Sequence, residues 1–214
     1  MSDWFRNEDW SPEIEEQFFL KLGRTRTQKA QYLRIQASYL SERRPEVALS
    51  LLDRYFELRD ISKDAATFVD QAQGYVDQAH AFAALGDWEQ SAAAFEKALS
   101  RERDFPNYLT QAGFEFPVFA AIHRMTNRYA FALGIIEMYR PKATLPVERF
   151  CSYAASALIA TELGAGQEAA DFARQALSAS VTQSPFPHHP GIGLVEGKHD
   201  GLKTQLQRLT LGGN

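Results

Sequence analysis

The chain has 214 residues, a formal net charge of −4, 45% apolar and 23% charged residues, and a single cysteine, Cys151. These values describe a folded globular chain; they exclude an internal disulfide and give no broad basic field for nucleic acid. A chain of this size buries roughly 70% of its unfolded surface, enough for a continuous core.

The first residues, Met1 to Asp9, have no basic start followed by an apolar run, so no secretory signal is expected. No stretch approaches about 18 apolar residues, so no membrane span is expected and a soluble, cytoplasmic protein is. Ser11-Pro12-Glu13 reads as a helix start, with Ser as N-cap and Pro in the first turn. A cap helix over about 11–22 then places Ile14, Phe18 and Leu22 on one face. Helices follow at about 27–42 and about 46–58, the second started by Pro45. Tyr75, Ala79 and Phe82 form the inner stripe of the next helix, and Ser91, Phe95 and Ala98 that of its successor. Between them, Gly86 is placed to take the left-handed conformation and Asp87 to cap, with Gln90 three residues on.

A third pair is expected at about 114–125 and about 128–140, with Asn127 at the left-handed turn position and Pro141 as the stop. A fourth is expected at about 147–163 and about 166–180, turning at Gly164. The segment from Ser184 to Gly193 is too rich in proline and glycine for a helix or central strand. A last helix at about 198–210 puts Leu202, Leu206 and Leu209 on one side.

These elements repeat. Tyr32, Tyr75, Phe116 and Tyr153 stand 43, 41 and 37 residues apart, and sixteen positions after each comes a small residue: Ala48, Ser91, Ala132 and Ala169. The stretches Val47 to Tyr55 and Phe131 to Tyr139 match each other closely in pattern. A helical recurrence of about 40 residues implies stacked helix hairpins.

The second repeat, through Tyr75, Ala79, Phe82, Gly86, Ser91, Phe95 and Ala98, resembles a tetratricopeptide repeat. The fourth resembles it at Tyr153, Ala157, Ala160, Gly164, Ala169 and Ala176. The first and third depart from it, with Gln36 where a small residue is usual and Tyr55 and Tyr139 where Ala is usual. The family unit is shorter, and the extra residues concentrate around Arg103 to Gly113. Trp4-Phe5-Arg6-Asn7, Tyr32 to Gln36, Phe105-Pro106-Asn107 and Gly191 to Val195 look like a group of small bacterial tetratricopeptide-like proteins with no assigned activity.

The resemblance implies an all-α, right-handed α-solenoid forming one domain over 1–214: a cap helix, about four hairpins over 27–180, and a C-terminal loop and cap helix over 181–214. It also implies a concave groove lined by the first helix of each hairpin. The positions that match are Leu33, Ala37 and Leu40, then Val76, His80 and Ala83. The third hairpin contributes Pro117, Ala121 and Arg124, and the fourth Ala154, Leu158 and Thr161. An open apolar trough of this kind needs cover. The segment Ser184 to Val195, which carries Phe186, Ile192, Leu194 and Val195, is expected to fold back along it.

Residues with potential chemistry are few. His188-His189 point to opposite sides of an extended segment, and neither a paired helix motif nor a cysteine pair completes a zinc site with them or with His80, His123 and His199. Cys151 is expected as an inert thiol beside the inward Tyr153. Arg24, Arg26, Lys29, Arg34, Arg43 and Arg44 form a basic cluster, read as a solvated face pairing with Glu13 to Glu16 or as an acceptor for a partner's carboxylates. No catalytic residue, metal or cofactor is expected. The function expected is a non-enzymatic adaptor that binds a peptide or helix of another protein in the groove. The alternatives are a metal- or small-molecule-dependent enzyme using the loop histidines and a purely structural homo-oligomer.

Overall fold

The computed structural model describes residues 3–61 and 70–211, and every regular element among them is helical. In chain order these are α1 (Pro12–Arg24), α2 (Lys29–Leu40), α3 (Pro45–Ile61), α4 (Gln71–Ala84) and α5 (Trp88–Asp104). Then come α6 (Ala112–Ile122), α7 (Tyr129–Tyr139), α8 (Pro146–Glu162), α9 (Gly166–Ser180) and α10 (Asp200–Leu211). No described helix is long and apolar enough to cross a membrane. The chain divides into two compact units, Met1–Ala112 and Gly113–Asn214.

In the first unit, α2 packs on α3 and α4 on α5, and α3 joins the two pairs through α4. The start of α1 follows from its sequence: the Ser11 hydroxyl accepts from the Ile14 amide at 3.3 Å, and Glu13 and Glu15 face the positive end of the helix dipole. Phe18 and Leu22 on its inner face join Leu33, Leu40, Leu52 and Tyr55 in one core. Asp87 caps α5 as expected, accepting from the Gln90 amide at 3.1 Å.

The departures from the repeat pattern have local reasons. Gln36 is buried and exchanges hydrogen bonds with Asn7, accepting from its amide at 3.0 Å and donating to its carbonyl at 2.8 Å. That pins the N-terminal segment, whose Trp4 and Phe5 rings lie against Tyr32. Tyr55 fits because the helix facing it carries Gly74, where a Cβ would lie 2.6 Å from the tyrosine ring. Tyr139 fits likewise against Gly113, where a Cβ would run into the tyrosine ring. Each oversized residue has a glycine opposite it. The extra loop after α5 is held by buried Glu102, which accepts from the Thr110 amide at 2.9 Å.

In the second unit α8 packs on α9, and α10 closes α9 with Leu202 and Leu206 buried. Phe116 and Phe131 meet edge to face, tying α6 to α7. All four small residues of the repeat, Ala48, Ser91, Ala132 and Ala169, are buried. Ser91 shows why size matters there: its hydroxyl donates to the Ala79 carbonyl of the facing helix at 2.8 Å.

Two expectations need correction. The third turn does not use Asn127. Arg124 takes the left-handed conformation, φ 51°, as Gly86 and Gly164 do in theirs. In all three turns the next amide reaches back five residues to a carbonyl, as in Asp87 to Phe82, Met125 to Ala120 and Ala165 to Ala160, each at 2.9 Å. The helix α6 thus starts two residues before the expected 114 and ends about one turn before the expected 125, and the 3-10 turn Thr126–Arg128 leads from it into α7. The second correction concerns the segment before α10. Its Gly193 carbonyl accepts from the Val147 amide at 2.9 Å, and Gly193 sits against Leu145. The segment therefore docks at the start of α8, not along the predicted groove, and Phe186 and Ile192 stay about half exposed.

Candidate functional site

The positions expected to line an open groove are mostly consumed by the core. Leu33, Ala37, Leu40 and Val76 are buried in the first unit; Pro117, Ala121, Ala154 and Leu158 are buried in the second. His80 and Ala83 are half-buried, and the His80 ring lies edge-on to Phe95. Arg124 and Thr161 are exposed, but Arg124 already gives two hydrogen bonds to Glu162 Oε1, at 3.0 and 2.7 Å. Helix packing within each unit therefore buries most of these side chains.

The residues with potential chemistry lie in different settings. His188 and His189 are exposed. No group of three or more His, Cys, Asp or Glu among the described residues is arranged to hold a metal ion. Cys151 is buried and its thiol is pushed up to about 12, first by loss of solvent and then by Glu115, with Lys198 opposing. His199, whose ring lies against Phe150, is shifted down by burial and by Lys198 and Lys203. Both shifts work against a thiolate–imidazolium pair.

Three members of the basic cluster near the start of the chain are paired, though not with Glu13 to Glu16. Arg43 bonds Glu8 at 3.1 Å, Arg44 bonds Asp9 at 2.8 Å, and Arg34 bonds Asp77 at 3.1 Å. The first two pairs are exposed and worth little. The third is buried on the Asp77 side and links α2 to α4, with Gln73 donating to the other Asp77 oxygen at 3.1 Å. Burial raises the Asp77 carboxyl above its ordinary value, with Arg34 working in the opposite direction.

A different arginine stands out in the second unit. Arg140 follows directly on α7, where the negative end of the helix dipole favours a cation. Its Nε donates to the Ser152 hydroxyl at 2.9 Å and its Nη2 to the Ser156 hydroxyl at 2.5 Å. The guanidinium carbon lies 4.7 Å from the Tyr153 ring centre and 5.4 Å from that of Phe172. No carboxylate among the described residues pairs with it. Partial burial pulls the group below its ordinary value, with Tyr153 opposing, yet a guanidinium stays charged at any working pH.

Arg140 lines a pocket of about 300 Å³. From α7 the wall receives Leu133, Ile136 and Glu137, which fall with Arg140 on one helical stripe. From α8 and the residue just past its end it receives Ser156, Ile159, Ala160 and Leu163 in the same spacing. Phe172 and Glu168 of α9 complete it. Leu133 and Leu163 are exposed at its edge, Leu163 by 65%. The result is an apolar wall with one oriented cation inside and two acids on its lining. The sequence carried a signal for it: two stripes at spacings of three, four and seven residues, one ending in Arg and the other beginning in Ser. No protein-family model, curated protein or solved structure matches this chain.

Proposed function

We propose that the protein is a non-enzymatic recognition module of tetratricopeptide-like hairpins that binds a segment of another protein. The observation that carries this reading is the Arg140 pocket, where a fixed, uncompensated cation meets exposed Leu133 and Leu163. An oriented guanidinium beside apolar surface offers a partner one directional contact and one apolar contact, the usual anatomy of a recognition point. The paired hairpins, with small residues at their closest approaches, support the same reading, since stacked helix pairs commonly serve as binding scaffolds. The binding surface thus moves from the first helices, where the resemblance put it, to the α7–α8–α9 side of the second unit.

Cross-linking capture from an extract of the source organism tests this. Wild-type protein is expected to retain a specific partner that Leu133→Glu and Leu163→Glu both lose while keeping their helical content. Identical capture by wild type and both variants, or no specific capture at all, contradicts the proposal.

A further inference from the structure

The geometry points to the Arg140 pocket as a site for an organic monocarboxylate carrying an apolar group about the size of a leucine side chain. The inference rests on the recognition reading and names the ligand class of that same site.

Three features converge on a carboxylate. First, the cation is positioned rather than mobile. Two serine hydroxyls, one turn apart on α8, take Nε and Nη2, and two aromatic rings flank the guanidinium. The third nitrogen, Nη1, makes no hydrogen bond among the described residues, so one edge of the fork remains for a planar acceptor. Second, the charge is half-buried without a counter-ion, and such a charge gains most from an anion that arrives with its own hydrogen-bond acceptors. Third, the rest of the wall is apolar: Ile136, Ile159 and Phe172 surround a volume at the lower end of small-ligand sites.

The lining also limits the charge of the ligand. Glu137 and Glu168 share the pocket with Arg140 but do not pair with it. Two acids beside one cation disfavour a dianion, so inorganic phosphate is a poor fit and a single carboxylate a good one. The carboxylate could belong to a free acid or to the end of a peptide chain; the chemistry of the pocket is the same for both.

The test uses the full chain and N-acetyl-leucine, followed by calorimetry and by the side-chain nitrogen resonances of arginine. The acid is expected to bind saturably and roughly 10-fold or more tighter than N-acetyl-leucinamide, the loss expected when a charge-assisted fork contact is removed. Arg140→Met should erase that preference. Glu168→Gln should tighten the acid by about 2-fold, by relieving a like charge. Inorganic phosphate should compete at least 10-fold more weakly than the acid. Equal binding of acid and amide by the wild-type protein overturns the inference, whatever the variants do. So does a preference that survives in Arg140→Met, or phosphate that competes as well as the acid. Should Arg140→Met fail to fold, Leu163→Glu, at an exposed edge position, is expected to weaken the acid by about 10-fold or more through like-charge repulsion, and unchanged acid binding there counts against the site. A tetrapeptide acid ending in leucine separates the sources: tighter binding than N-acetyl-leucine assigns the carboxylate to a chain terminus, weaker binding to a free acid, and either supports the site. Loss of acid binding with partner capture intact removes this inference alone, whereas loss of Leu133- and Leu163-dependent capture removes the recognition reading itself.

Discussion

Each compact unit ties one helix pair to the next element with an arginine, and the two arginines are finished differently. In the first unit Arg34 reaches from α2 to α4 and finds a carboxylate, Asp77, itself fixed by Gln73. In the second Arg140 reaches from the end of α7 to α8 and finds two hydroxyls and two aromatic rings. Both anchors join elements, but only the first neutralises its charge. A cation closed by an internal acid belongs to the architecture. A cation oriented by neutral groups beside an open pocket is ready for an external one.

The largest effect expected from this contrast is on stability. Asp77→Ala removes the buried acceptor that Arg34 and Gln73 share and should destabilise the protein by about 2–3 kcal/mol in urea unfolding. Arg140→Met removes hydrogen bonds to two serines, one of which already bonds the Ser152 carbonyl at 3.1 Å, and should cost about 1 kcal/mol. Equal losses in the two variants would erase the distinction between the anchors.

Next in size is a feature the units share. Ala48→Leu in the first unit and Ala132→Leu in the second should each destabilise by about 1–3 kcal/mol through overpacking, while Glu137→Gln should have little effect. A large loss in one unit and none in the other would mean that the small residues of the repeat do not play one role.

A pH series sharpens the account of Asp77. Its carboxyl is raised in the folded protein, so protonation favours the folded state: the contribution is fully present below the unfolded value and is lost as pH rises through the folded one. The unfolding free energy of wild type minus that of Asp77→Asn should therefore be greatest in acid and fall as pH rises. A difference that grows with pH would mean that Arg34, not burial, governs the group. The smallest effect belongs to Arg124→Gly. Relief of a left-handed non-glycine residue, worth about 1 kcal/mol, is offset by the lost pair with Glu162 and by chain entropy, so the change should stay within about 0.5 kcal/mol. A clear loss of stability would show that the pair with Glu162 does more than exposed pairs usually do.

Much of the architecture is legible in the residues because local rules decide it. Ser11, Pro12 and Asp87 mark helix starts through their own hydrogen bonds or fixed torsions, Gly86 and Gly164 mark helix ends, and the small residues at sixteen-residue offsets fall at buried contacts. Arg124 escaped because nothing in its type favours a positive φ; it appears only once α6 is seen to stop one turn early. Eight of the twelve positions expected to line the groove are buried, for a related reason. Periodicity identifies a face of a helix, but not whether a neighbour covers it; in the first unit the N-terminal aromatic segment, Phe18 and the facing helix pack over Leu33, Ala37 and Leu40. Arg140 was hidden by its place just before Pro141, where it reads as the trailing end of a helix. Its meaning depends on Ser152 and Ser156, and those two match the pattern of a buried helix face as readily as that of a site.

The most direct measurement of the central contrast follows the side-chain nitrogen resonances of Arg34 and Arg140 in one sample as N-acetyl-leucine is added. The account predicts that the Arg140 signals shift and saturate with the calorimetric affinity while those of Arg34 stay where they are. Movement of both, or of Arg34 alone, or of neither at saturating acid, would contradict it.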